Sequence, residues 1–294
     1  MSSKRTQTPL VSIHMVFKNA EAFIEAALNS VFSQTFQDFE VILVDDNSTD
    51  NTKAKLALFH DPRMRYFKNL GSGLGAARQL ALLNSFGEWV AVFDADDISL
   101  PNRLELSLGL ARKGNVVVSG QMDEISEDGL SLGKHRFFPT NENQIRACLG
   151  TGYSLCHGAS LYEAHSAREV GGYSSGFQQI GEDEDLFIRL ASKGQIANLD
   201  VALIQRRIHR QSVCTNFQKT HWVLPISLFT DSQLIDSAYF ARLGKAALRG
   251  GRPKDAAKFY WESLAACPLK MNAWFGFLKS LVAGGGFEPP TFGL

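Results

Sequence analysis

The chain has 294 residues, 45% hydrophobic and 20% charged, enough for one large globular domain or one domain with a smaller companion. Thirty basic residues balance thirty acidic ones, so no bulk field draws in nucleic acid or an anionic membrane, and phosphate binding must be local. Cys148, Cys156, Cys214 and Cys267 lack C-x-x-C or zinc spacing, and no apolar stretch reaches membrane-spanning length; reduced thiols and a cytoplasmic location are expected, with peripheral membrane attachment left open.

Leu10 to Phe17 reads as a strand, its apolar run broken by His14, and Ala20 to Phe32 as an amphipathic helix. Phe39 to Val44 is almost wholly apolar, as in a strand covered on both faces. Thr52 to His60 predicts a second helix, Met64 to Lys68 a short strand, Ala76 to Asn84 a third helix and Glu88 to Phe93 a fourth strand. This alternation argues an α/β fold with a mainly parallel sheet. After Asn115 the rhythm changes. Short antiparallel strands are expected through Phe138, then helices at Asn141 to Leu149 and Glu182 to Ser192, then strands at Ile196 to Leu199 and Leu203 to His209. From about Phe217 the chain reads as helical, and Tyr239 to Arg252 with Asp255 to Leu264 resembles one tetratricopeptide-type hairpin. The expected domains are residues 1–215, a helical appendage over 216–283 and a disordered tail over 284–294.

Trp89-Val90-Ala91-Val92-Phe93 followed by Asp94-Ala95-Asp96-Asp97 places three carboxylates within four positions after a buried strand. Alternation sends Asp94 and Asp96 to one side and Asp97 to the other. Such close like charges need protons, arginines or a divalent cation to neutralise them. A turn then leads into a helix with Pro101 near its first turn. An EF-hand loop fits poorly, because Ile98 occupies a ligand position and Ser99 the glycine position. A haloacid-dehalogenase-type phosphatase would carry its D-x-D on the first strand, and here it follows the fourth. Asp45-Asp46-Asn47-Ser48-Thr49-Asp50 closes another buried strand; capping explains Ser48, Thr49 or Asp50, whereas Asp46 suits a ligand, such as a uracil imide or a ribose hydroxyl.

Gly71-Ser72-Gly73-Leu74-Gly75-Ala76 matches G-x-G-x-x-G/A by letter, but it follows the third strand and not the first, so it reads as a turn near phosphates with Arg78 one helical turn in. Glu182-Asp183-Glu184-Asp185 exceeds what a helix dipole needs, and a carboxylate there would serve as a general base. His209, in Arg206-Arg207-Ile208-His209-Arg210, could add a nitrogen to an acid-bound metal, whereas His14 and His157 read as structural.

Val11-Ser12-Ile13, Asn19-Ala20-Glu21, Ser30 to Thr35, Phe39 to Asp50, Phe93 to Asp97, Gly171-Gly172-Tyr173, Glu182-Asp183 with Leu186 and Arg189-Leu190, and Arg207, His209 and Ser212, in this order, resemble family 2 of nucleotide-sugar glycosyltransferases. The resemblance covers about residues 10 to 215. It implies a GT-A fold, an inverting mechanism and Mg²⁺ or Mn²⁺. By position it makes Asp46 a nucleobase ligand and puts Arg78 near the base or diphosphate. It puts Asp94 on the donor or on metal-bound waters, Asp96 on the metal with His209 assisting, and makes Asp183 the general base. The family often has Pro-x-Tyr-Asn where this chain has Val16-Phe17-Lys18-Asn19, so Lys18 is expected to contact phosphate. The implied reaction moves a sugar from a nucleoside diphosphate, a UDP-sugar by expectation, to a hydroxyl on a glycan, lipid or protein. The C-terminal helices offer a protein or membrane contact. A metal-dependent phosphatase or nucleotidyltransferase, or a catalytically silent binding module, stands as the alternative.

Overall fold

The computed structural model describes residues 8–71, 73–135, 138–149, 154–175, 181–212, 240–241, 243–245, 247–248, 253–266 and 271–283. The expected tail over 284–294 and much of the first helix of the C-terminal hairpin lie outside them. Two compact units divide the chain: residues 1–122 with 136–205, and residues 123–135 with 206–294.

In the first unit, β1 (Val11–Phe17), α1 (Ile24–Phe32), β2 (Phe39–Asp45), α2 (Thr52–Leu56), β3 (Met64–Lys68), α3 (Leu74–Leu83) and β4 (Trp89–Val92) alternate as the periodicity predicts. The helix expected to reach His60 stops at Leu56, and the one expected from Ala20 begins at Ile24. β1 pairs in parallel with both β2 and β4, and β2 in parallel with β3, giving the order 3-2-1-4. The chain therefore runs outward from β1 to β3 and returns to the far side of β1. That reversal opens a crevice at the carboxyl ends of β1 and β4, where open α/β sheets hold ligands.

Both faces of the sheet are covered. Phe39, Val41 and Leu43 of β2 join Ile24, Ala27, Leu28 and Val31 of α1, while Ile42 and Val44 join Ala77 and Ala81 of α3. The period of two thus sorts one apolar run into two cores. β1 differs, because its second face is polar. Ser12 Oγ donates to the buried Glu40 carboxylate at 2.7 Å, and His14 Nε2 lies 2.5 Å from Ser85 Oγ. The break at His14 is therefore a hydrogen-bonded seam within the strand.

Beyond β4 the pairing turns antiparallel. β8 (Leu161–Glu163) pairs with β4 and with β6 (Asn115–Ile125). The two-residue β5 (Ile98–Ser99) pairs with β9 (Gln195–Arg207), one continuous strand where the sequence suggested two. The helix expected after Pro101 is α4 (Arg103–Ala111), which Pro101 precedes. α5 (Glu142–Ala147), α6 (Ala164–Glu169) and α7 (Glu182–Leu190) complete this unit; Leu186, Phe187 and Leu190 of α7 pack with Val90, Val92 and Tyr162.

In the second unit, β7 (Ser131–His135) pairs with β6. Leu132, Ile208 and Leu243 form a small core. Helices α8 (Pro253–Ala266) and α9 (Met271–Val282) pack as a hairpin around Tyr260, and a Cβ at Gly244 or Gly276 would meet its ring at 2.9 or 2.2 Å. Small residues there let the helices close on one aromatic ring.

Candidate active site

At the carboxyl ends of β1 and β2 two loops clasp each other. Asn19, at φ +55°, accepts from Thr49 N at 2.8 Å, and its own N–H donates to Ser48 Oγ at 3.0 Å. Asp50 accepts from Glu21 N at 3.0 Å and Thr52 N at 3.1 Å, and Glu21 accepts from Asn51 N at 3.0 Å. Of the three capping candidates, Asp50 meets the first N–H of α2, at Thr52, whereas Ser48 and Thr49 bind the neighbouring loop at Asn19. Asp45 is likewise committed internally, accepting from Ser48 N at 2.7 Å and Tyr66 OH at 2.8 Å. Desolvation, helped by that bond, pushes the Tyr66 phenol up to about 12.

Asp46 is half-buried at the strand end. One carboxylate oxygen accepts from Asn69 Nδ2 at 2.7 Å, while Asn69 Oδ1 accepts from Gly71 N at 3.1 Å. Asn69, which sequence reasoning passed over, thus ties Asp46 to the glycine turn before α3. Lys18 is exposed at the end of β1.

The turn after β4 obeys the alternation. Asp94 and Asp96 are partly exposed, and Asp97 is buried. Asp94 lies against the short 3₁₀ turn His157–Ala159, where a Cβ on Gly158 would come within 2.7 Å of Oδ2. Two arginines answer the accumulated charge. Arg78 Nη2 is 3.7 Å from Asp94 Oδ1, and Arg103 bonds the Val92 carbonyl beneath the turn. Burial pulls the Arg103 guanidinium down to about 10, against the pull of Cys156, Asp94 and Asp97. Asp94 is raised, first by desolvation in the wall of the crevice although its side chain still meets solvent; Arg78 opposes this, and Asp96 and Asp183 add repulsion.

Arg78, one helical turn into α3, is the most heavily engaged cation of the site. It is buried, and its three nitrogens all meet protein groups. Nε lies 3.2 Å from Glu182 Oε1, Nη2 faces Asp94, and Nη1 bonds the His157 ring. Burial disfavours its charge, yet Glu182 and Asp94 hold its pKa above the ordinary range. His157 is held neutral, first by burial and then by Arg78, so it accepts from the guanidinium. Its Nε2 also lies 2.9 Å from Tyr173 OH. Tyr173 N donates to Gln79 Oε1 at 2.8 Å, and Gly171 and Gly172 carry the chain there at φ +89° and +69°. A lone histidine on an apolar segment gave no signal. Its place is set by the contact of Tyr173 with the Arg78-Gln79 helix, almost a hundred residues away, which no local pattern displays.

The four acids of α7 separate cleanly. Glu182 turns in to Arg78, Ser154 Oγ donates to Glu184 at 3.1 Å, and Asp185 pairs with Arg189. Asp183 accepts only the backbone N–H of Glu184, at 2.9 Å, and pairs with no other side chain among the described residues. It is partly exposed and close enough to raise Asp94. Glu182 is raised by desolvation, with Arg78 opposing and Asp183 adding to it.

Among the described residues no three His, Cys, Asp or Glu side chains converge into a ready metal cage. The turn nonetheless suits a hard cation. Asp94 and Asp96 keep partly exposed carboxylate oxygens on one side of the turn, and Mg²⁺ commonly takes one or two carboxylates with waters and substrate phosphates. His209 is buried in the second unit, just beyond β9.

The glycosyl transferase family 2 model matches residues 12 to 171, more than half of the chain, and the chain belongs to that family. A relative in Escherichia coli, the UDP-Glc:α-D-GlcNAc-diphosphoundecaprenol β-1,3-glucosyltransferase WfgD, is 36% identical over 42% of this chain and 50% of its own length. The next two curated relatives are matched over 35% and 34% of theirs, so the chain spans half or less of these proteins. In fold it is similar to S. aureus TarS 1-349 in complex with UDP-GlcNAc, at a TM-score of 0.56 and 17% identity over 92% of this chain and 79% of that one. It is also similar to the mannosyltransferase PcManGT from Pyrobaculum calidifontis, in complex with GDP-Man and Mn²⁺, at 0.54 and 17% over 97% and 78%. The fold is thus of the GT-A glycosyltransferase type, as the sequence implied. No helix among the described residues is long and apolar enough to cross a membrane.

Proposed function

We propose that this chain transfers a sugar from a UDP-sugar to a hydroxyl of a glycan, lipid or protein acceptor, with inversion, in the building of cell-envelope polysaccharide. The observation that carries the reading is the convergence of acids from separate elements on the crevice at the strand-order reversal. Asp94 lies just beyond β4 and Asp183 in the first turn of α7, close enough for one to shift the other, while Asp46 directly follows β2. The glucosyltransferase name of WfgD and the UDP-GlcNAc complex of TarS support a UDP-sugar donor.

In this mechanism Asp46, oriented by Asn69, accepts from the uracil imide or a ribose hydroxyl, and Lys18 meets the diphosphate. Asp96, with His209 and with Asp94 through bound waters, would hold Mg²⁺ or Mn²⁺, which supplies positive charge to the leaving diphosphate. Asp183 takes the acceptor proton as the hydroxyl attacks the anomeric carbon from the face opposite the diphosphate. Arg78 lies near the base or diphosphate of the donor, where its ion pair with Asp94 ties it to the acid turn. Residues 1–215 would form the catalytic domain, with residues 216–283 a helical appendage for protein or membrane contact and 284–294 a tail. The protein would act in the cytoplasm or at a membrane surface, without nucleic acid.

Asp183→Asn tests the base. The variant should bind UDP with unchanged affinity while UDP release from UDP-sugar, over a panel of acceptors, falls about a hundredfold or more. Near-normal release with intact binding would remove Asp183 from the role. Turnover of simple phosphate esters in place of UDP-sugars would move the chain to phosphatase chemistry.

A further inference from the structure

We propose that Arg78 and Glu182 form a positioning pair that fixes Asp183 against the Asp94 turn without touching substrate. The inference rests on the reading of Asp183 as the base and adds the device that holds it.

In the first turn of α7, Ser154 Oγ holds Glu184 from one side and the buried Glu182 is held from the other. The helix starts from Gly181 at φ +103° with no side-chain cap, and Asp183 bonds only its neighbour's N–H. The acid before it is anchored instead. The Glu182 side chain is 3% exposed, with Oε1 3.2 Å from Arg78 Nε, and among the described residues neither that Nε nor Oε2 has a hydrogen-bond partner, so the contact is an ion pair. A charge so enclosed depends on its single cation for compensation. Arg78 is fixed in turn, because Nη1 bonds His157, His157 meets Tyr173 OH at 2.9 Å, and Tyr173 N donates to Gln79, the residue after Arg78. The loop closes on α3, the same helix that carries the arginine. With Nη2 on Asp94, one planar guanidinium spans the acid turn and the helix start, a geometry that a lysine ammonium cannot reproduce.

The pairing also explains why one of several acids is left for chemistry. Of the acids nearest the start of α7, Arg78 engages Glu182 and Asp94, whereas Asp183 has no side-chain partner among the described residues.

A double-mutant cycle on the full chain tests this, with Glu182→Gln, Arg78→Gln and both together, each checked for its fold by circular dichroism. The isosteric Glu182→Gln keeps the test valid if Arg78→Gln does not fold. Turnover of UDP-sugar and UDP affinity are measured in parallel. The expected result is a kcat at least tenfold lower in Glu182→Gln and in each variant that folds, with KM and UDP affinity within twofold and the double variant no worse than the weaker single one. Glu182→Asp should recover part of the rate. A tenfold rise in KM and weakened UDP binding at retained kcat would make Arg78 a donor contact and overturn the inference, as would multiplicative losses in the double variant or a Glu182→Gln with normal kcat. Asp183→Asn is run alongside. Full activity in that variant would fell the base assignment alone, because the Arg78–Glu182 coupling is read from its own cycle.

Discussion

Asp94 shows how single residues divide the labour of a charged site. Three acids crowd one turn, and the protein answers with two buried arginines while leaving Asp94 and Asp96 partly open. Gly158 permits this by making room for Asp94 Oδ2. In Gly158→Ala the new Cβ would displace the flexible carboxylate and not the backbone. The fold should survive while the Mn²⁺ response of UDP binding weakens about tenfold, roughly the worth of one good polar contact. Titration calorimetry with and without Mn²⁺ reads this, and an unchanged response would mean that Asp94 plays no part in the metal's binding. At this scale the sequence singled out acids by their place, Asp46 and Asp94 just after strands and Asp183 in the first turn of a helix. It was silent on His157 and Asn69, whose importance lies in partners distant along the chain.

Among the elements, the clasp between the loops after β1 and β2 carries most of the motif that suggested the family. Asn19, Glu21, Ser48 and Asp50 hold backbone N–H groups of the opposite loop, and so fix the ends of β1 and β2. Asp50→Ala would leave the N–H groups of Glu21 and Thr52 without their acceptor and lower stability by about 1–3 kcal/mol in urea unfolding. A loss below a few tenths would show the loops to be held by packing alone. The alternation of strands and helices up to Val92 was legible because hydrophobic period is a local property. The order 3-2-1-4 and the pairing of Ala91 with Leu161 were not, since pairing across seventy residues leaves no local pattern. The same limit explains why two short strands were expected where β9 runs unbroken, because its Asp200-Val201 stretch is solvent-facing and reads as a break.

At the scale of the whole molecule, the buried histidines set the response to acid. Burial, then Arg78 and Arg168, pull His14 down to about 3, and His157 is also far below its ordinary value. The unfolded chain protonates both near pH 6.5, so below that the unfolded state binds more protons and stability falls as pH drops toward 3. His14 contributes about 1.4 kcal/mol per pH unit in that window and nothing above it, and His157 acts in the same sense. Asp94 and Glu182, both raised, act in the opposite sense, since protonating them relieves a penalty that the fold carries at neutral pH. His14→Leu should therefore flatten the acid slope by about 1.4 kcal/mol per unit between roughly pH 6 and 4, read by urea unfolding across pH. An unchanged slope would mean that His14 already binds a proton in the folded state. The whole arrangement converges on a single claim, that the crevice between β1 and β4 holds the nucleotide of a UDP-sugar. Calorimetric titration of UDP into the full chain and into Asp46→Ala, each with Mn²⁺, tests it most directly. The account predicts one saturable site that weakens without Mn²⁺ and weakens about tenfold further in the variant, whereas no binding, or binding indifferent to Asp46, would contradict it.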